Sequence, residues 1–191
     1  MNSGSMDRVG ELTRLLDCLG IEYMLVGSLA GNVWGLPRST NDADLVAEMS
    51  TDAAARLVRS LPSDMKVEPQ LSFETNTATQ RLLEVKLPTR FKIEVFEVGD
   101  DPHHLERFAR RVRVPIPDIG VAAWAATAED MLVQKLRWGR RKDLDDALTY
   151  VMASGDVIDW PYVERWVAEH GTAEKLAEIR AEAEAIGQPE D

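Results

Sequence analysis

One cysteine among 191 residues excludes an internal disulfide. Cys18 sits among Leu15, Leu16 and Leu19, which predicts a buried small hydrophobe rather than a reactive thiol. Positive charge is also scarce: 22 Lys and Arg stand against 33 Asp and Glu, a formal net charge of −11. So acidic a chain disfavours nonspecific binding to nucleic acid or to an anionic membrane. No uninterrupted apolar run approaches the ~20 residues that span a bilayer. The opening Met1–Met6 is small and polar, lacks the apolar stretch of a secretory signal, and is expected to play no structural role. No Walker-type loop, zinc motif or Ser-His-Asp arrangement is visible. These absences point to a cytoplasmic protein with no membrane partner.

What is present suits a folded domain. Hydrophobic residues make up 45% of the chain, enough for a substantial core. Val9, Leu12, Leu15, Leu16 and Leu19 recur at helical spacing and Gly20 stops them. Ile21–Val26 reads as a short strand, Gly27-Ser28 as a tight turn into a helix around Leu29–Trp34, and Asp42–Glu48 as the next strand. A helix follows from Thr51 to Leu61, then an edge strand over Lys66–Leu71. Arg81–Leu87 and Phe91–Val98 read as a hairpin joined by Pro88-Thr89-Arg90. Four helices are expected beyond Thr127, the last over Thr172–Ile186 with a frayed tail after it. His103-His104 and the arginines from Arg107 to Arg113 read as a solvated loop and an exposed face. The expected architecture is α+β: a mixed, mostly antiparallel sheet flanked by helices over residues 7–126, with a C-terminal helical portion over 127–187 packed on that core.

Three carboxylates carry the chemistry. Side chains alternate along a strand, so Asp42 and Asp44 share a face while Ala43 and Leu45 share the other. Two adjacent carboxylates repel unless a proton or a cation lies between them, and a hard cation such as Mg²⁺ takes oxygen ligands. By physics alone the pair is either a metal site or two solvated strand-end aspartates. Glu94 adds weight: flanked by Ile93, Val95 and Phe96, it is an expensive charge unless it is partnered. Lys135 is a similar lone charge in an apolar helical run. Gly27-Ser28 opens a helix, whose first N–H groups are available to anions.

Here the residues resemble a known family. Gly27-Ser28, then Arg38-x-Thr40-x-Asp42-x-Asp44, then an acid in a later strand is similar to the nucleotidyltransferase superfamily with the DNA polymerase beta-like fold. The likeness is strongest to the bacterial minimal and abortive-infection toxin-type members. Glu129-Asp130-x-x-x-x-Lys135 followed by Arg140-x-Lys142-Asp143-x-x-Asp146 extends it over residues 21–152. The resemblance implies transfer of an NMP from a nucleoside triphosphate to a hydroxyl on a small molecule, a protein or an RNA end. It implies Mg²⁺ (or Mn²⁺) on Asp42, Asp44 and Glu94. Gly27, Ser28, Arg38, Thr40 and Lys135 would then bind the nucleotide, and Asp143 and Asp146 would orient basic residues or the acceptor. Glu94 stands where the family usually has aspartate. That departure admits an alternative: a nucleotide-binding partner protein with weak or lost activity, such as a toxin–antitoxin component. Nucleic acid and a protein partner both stay open as acceptors.

Overall fold

The computed structural model describes residues 3–68, 72–74 and 79–187, and the chain divides into two compact units. The first comprises Met1–Leu29 and Ser39–Ala126; the second comprises Ala30–Arg38 and Thr127–Asp191.

The first unit opens with α1 (Ser3–Leu19), whose Val9, Leu12 and Leu16 form a fully buried stripe. The helix begins earlier than its hydrophobic period suggests. Ser5 and Met6 are buried, and the Ser5 hydroxyl shares a 2.6 Å hydrogen bond with that of Thr89, which draws the polar opening residues into the fold. Cys18 lies off the buried stripe and is exposed, against the sequence expectation. Then come β1 (Glu22–Val26), α2 (Gly27–Trp34), β2 (Asp42–Glu48) and α3 (Thr51–Ser60), which Ser50 caps by accepting from the Ala53 amide. Helix α2 starts in the first unit and ends in the second.

The rest of the sheet is built from β3 (Lys66–Glu68), β4 (Ser72–Glu74), β5 (Thr79–Lys86), β6 (Lys92–Glu97), β7 (Val112–Ile116) and β8 (Val121–Ala125). Its order is β3-β5-β6-β2-β1-β8-β7, with β4 also paired to β5. Pairs β1–β8 and β2–β6 are parallel, and the other ladders are antiparallel. The sheet is therefore mixed and mostly antiparallel. Ala43, Leu45, Ile93 and Val95, at most 1% exposed, form its buried side at the centre. The expected hairpin is β5–β6, and Arg90 takes the left-handed conformation in its turn. Of the expected edge strand, residues 69–71 lie outside the described ones.

Between β6 and β7 runs α4 (Pro102–Ala109). Its first turn contains His103 and His104, both buried, where the sequence suggests a solvated loop. Asp101 makes the difference by accepting from both histidine amides, with Pro102 preset for the first helical turn. Arg107 is buried as well, and Arg111 stacks on Phe108 at 4.4 Å, so these arginines are not a uniformly solvated face.

The second unit packs α5 (Ala128–Trp138) against α6 (Arg141–Ser154) and α7 (Trp160–Glu169), and α6 against α8 (Ala173–Gly187). Thr127 caps α5 by accepting from the Asp130 amide, and Asp159 caps α7. Leu132, Leu136, Ala147 and Val163 are fully buried. The tail after Gly187 lies outside the described residues. Among the described residues no helix is long and apolar enough to cross a membrane.

Candidate active site

Strand β2 carries the two aspartates on one face. Both are half-buried, whereas Ala43 between them and Leu45 beyond are sealed on the other side. Strand β6 runs parallel to β2 with Asp44 opposite Glu94 and Asp42 opposite Lys92. Partners in register share a face, so Asp42, Asp44 and Glu94 lie on the same side of the sheet. On its other edge β2 meets β1, where Asp44 pairs with Val26, the last residue before α2.

That pairing sets Asp44 against the opening of α2. Gly27 has φ +60°, and a Cβ there would lie 2.4 Å from Asp44 Oδ2. Glycine is thus required twice, for the left-handed backbone and for the carboxylate's close approach. Gly27→Ala is expected to cost about 1–2 kcal/mol from backbone conformation alone, and more from the clash. Thermal unfolding measures it, and an unchanged midpoint would contradict the contact. Ser28, half-buried, is the second residue of α2.

Two devices hold the acids. The Thr40 hydroxyl donates to Asp42 Oδ1 at 2.7 Å, fixing that carboxylate's rotation. Glu94, only 9% exposed, is gripped on both oxygens: Arg81 Nη1 reaches Oε1 at 2.6 Å and Lys92 Nζ reaches Oε2 at 2.5 Å. Arg81 also pairs with Glu84, which faces Glu94 across β5–β6. Partial burial pulls the Lys92 ammonium down, but Glu94, Asp42 and Glu84 outweigh it and leave its pKa above the ordinary lysine value. Alternation along β6 already put Lys92 on the face of Glu94. Arg81 and Glu84 gave no such signal, because residues three apart on a regular strand point to opposite faces.

In the second unit the remaining candidates form one ionic network. Lys135, 4% exposed, donates to Asp143 Oδ1 at 3.1 Å and to Asp146 Oδ2 at 2.6 Å. Arg38 forks onto Asp146 at 3.1 and 3.2 Å, and Arg140 holds Asp143 at 2.5 Å. Asp143 has no exposed side-chain surface. Burial alone would raise its carboxyl, but Arg140's hydrogen bond and the Lys135 charge overcome this and hold it below the usual aspartate value. The Tyr150 phenol, buried and near Asp146, is pushed well above its ordinary value. The structure thus gathers Gly27, Ser28, Thr40, Asp42, Asp44 and Glu94 in one unit, and Arg38, Lys135, Asp143 and Asp146 in the other.

No protein-family model matches the chain, and no curated protein matches it. Solved structures do. An antigenic nucleotidyltransferase-like protein from Paracoccidioides brasiliensis aligns with a TM-score of 0.51 at 22% identity, over 76% of this chain and 75% of its own. The antibiotic-resistance factor ANT(2'')-Ia aligns with a TM-score of 0.50 at 12% identity, over 97% of this chain and 94% of its own. The chain has the α+β fold of the nucleotidyltransferases.

Proposed function

We propose that the chain transfers a nucleoside monophosphate from a nucleoside triphosphate to a hydroxyl acceptor. One observation carries the reading: Asp42, Asp44 and Glu94 share one sheet face, and Asp44 lies against the helix opening at Gly27.

The donor set fits a hard divalent cation. Asp42 and Asp44 are half-buried carboxylates from alternate residues of one strand, which is the oxygen chemistry Mg²⁺ or Mn²⁺ takes. These two residues would hold the ion, with Glu94 beside them. Bound there, it would offset the negative charge that builds on the departing pyrophosphate.

The chain's own residues do the rest. Amides at the start of α2 and the Ser28 hydroxyl receive the terminal phosphates. Thr40 keeps Asp42 turned to its task. The acceptor oxygen forms a bond to the α-phosphorus, the bond from that phosphorus to the bridging oxygen breaks, and pyrophosphate leaves. Glu94 Oε2 takes the hydroxyl proton once Lys92 lets go of it. Such catalysis consists of position and field more than of covalent chemistry.

A second reading has its own support. With both oxygens of Glu94 engaged by cations, the chain would serve as a nucleotide-binding partner without transfer, for example in a toxin–antitoxin pair. Calorimetric titration with ATP and GTP in Mg²⁺, followed by transfer from α-labelled nucleotide, separates the two. Binding with labelled acceptor supports transfer, and binding without label supports the partner. No nucleotide binding at all overturns both.

A further inference from the structure

We infer that Arg81 is a positioning residue for Glu94, delivered to the acid-bearing face by a bulge in β5; the inference rests on the transfer reading above. The register shows how. Lys86 pairs with Lys92, Val85 with Ile93, Glu84 with Glu94 and Leu83 with Val95, in regular alternation. The ladder then shifts, and Arg81, not Leu82, pairs with Phe96. Phe96 is on the face of Glu94, since the two are two residues apart on β6. Without the extra residue Leu82 would point to the acids and Arg81 to the buried side. A bulge re-aims a side chain in this way, and it turns Arg81 over.

What Arg81 does there follows from the length of glutamate. Compared with aspartate, Glu94 has one more rotatable bond, so its carboxylate can swing away from Asp44 unless it is held. Arg81 fastens Oε1 while Glu84 fastens Arg81, and both of their side chains are largely shielded, 17% and 11% exposed. Lys92 holds Oε2 from a side chain 42% exposed. The two grips are therefore unequal. Lys92 can trade its partner for water, while Arg81 stays. Arg81 touches neither nucleotide nor acceptor; it acts through Glu94.

The test compares wild type, Arg81→Met, Arg81→Lys, Glu94→Gln and the Arg81→Met/Glu94→Gln double variant. Urea unfolding of the cycle reads the hold without reference to activity: the midpoint shifts of the two single variants should not add in the double. Additive shifts would overturn the hold. In labelled transfer, kcat of Arg81→Met should fall by ~10–100-fold, the range for partners that orient a site residue, with KM for the nucleotide little changed. Arg81→Lys should recover part of that loss. In the Glu94→Gln background Arg81→Met should change nothing further. Wild-type kcat in Arg81→Met, or an equal loss without Glu94, would overturn the inference. Should Arg81→Met not fold, Arg81→Gln takes its place under the same criteria. Should wild type transfer nothing, the transfer reading falls, and the unfolding cycle alone decides whether Arg81 holds Glu94.

Discussion

Asp42→Asn or Asp44→Asn is expected to reduce nucleotidyl transfer by well over ~100-fold, because removing even an outer partner of a metal ligand costs ~10–100-fold. Asparagine keeps the shape and one acceptor oxygen, so Thr40 retains its hydrogen bond at position 42 and Gly27 retains its neighbour at position 44. What disappears is the charge that opposes a divalent cation. The fold should survive, since both side chains are only half-buried and asparagine keeps their shape. Transfer assayed at saturating nucleotide and Mg²⁺, alongside thermal unfolding, separates chemistry from stability. Full activity in either variant would remove the metal from the mechanism.

The largest expected effect on stability is in the helical unit. Lys135→Met leaves Asp143 without one of its cations and Asp146 without another, at a site where Lys135 is 4% exposed and Asp143 is sealed. Breaking a buried pair by removing one partner typically costs ~3–5 kcal/mol, and urea unfolding should show a loss of that order. The same network sets a pH dependence. The folded-state pKa of Asp143 lies below its unfolded value of about 3.9. Its stabilisation is therefore complete above that value and is lost as the pH falls through the folded-state pKa. Acid titration of unfolding free energy should show wild type losing stability below about pH 4. Lys135→Met should show a smaller loss that ends at higher pH, because its Asp143 carboxyl then lies closer to the unfolded value. A wild type whose stability is flat through that window would contradict the assignment.

Most of the carboxylate face was legible because strand alternation is rigid. Asp42, Asp44 and Glu94 could be put on definite faces from their spacing, and parallel pairing of β2 with β6 then brought Asp44 opposite Glu94. Gly27 was readable for a similar reason, since a glycine between strand and helix marks either a turn or a close approach, and here it is both. The partners of Glu94 were only half legible. Lys92 obeys alternation, but Arg81 depends on a single inserted residue that no periodicity announces. His103 and His104 were misread because two polar rings after Asp-Asp-Pro look solvated, whereas Asp101 caps a helix that buries them. Cys18 went the other way. Its leucine neighbours suggested burial, and the helical phase turned it outward.

Helix α2 changes allegiance partway along: Gly27–Leu29 belong with the sheet, Ala30–Arg38 with the late helices. Ser154 donates to the Trp34 carbonyl at 2.7 Å, and Asp146 takes the Arg38 fork, so residues more than a hundred positions downstream complete this early stretch. A gene fragment stopped after Ala126 would thus yield a polypeptide with a raw seam in its middle rather than at its end. Anyone wishing to divide this molecule for expression would have to graft 30–38 onto the downstream piece, and the natural order of the chain forbids a single cut.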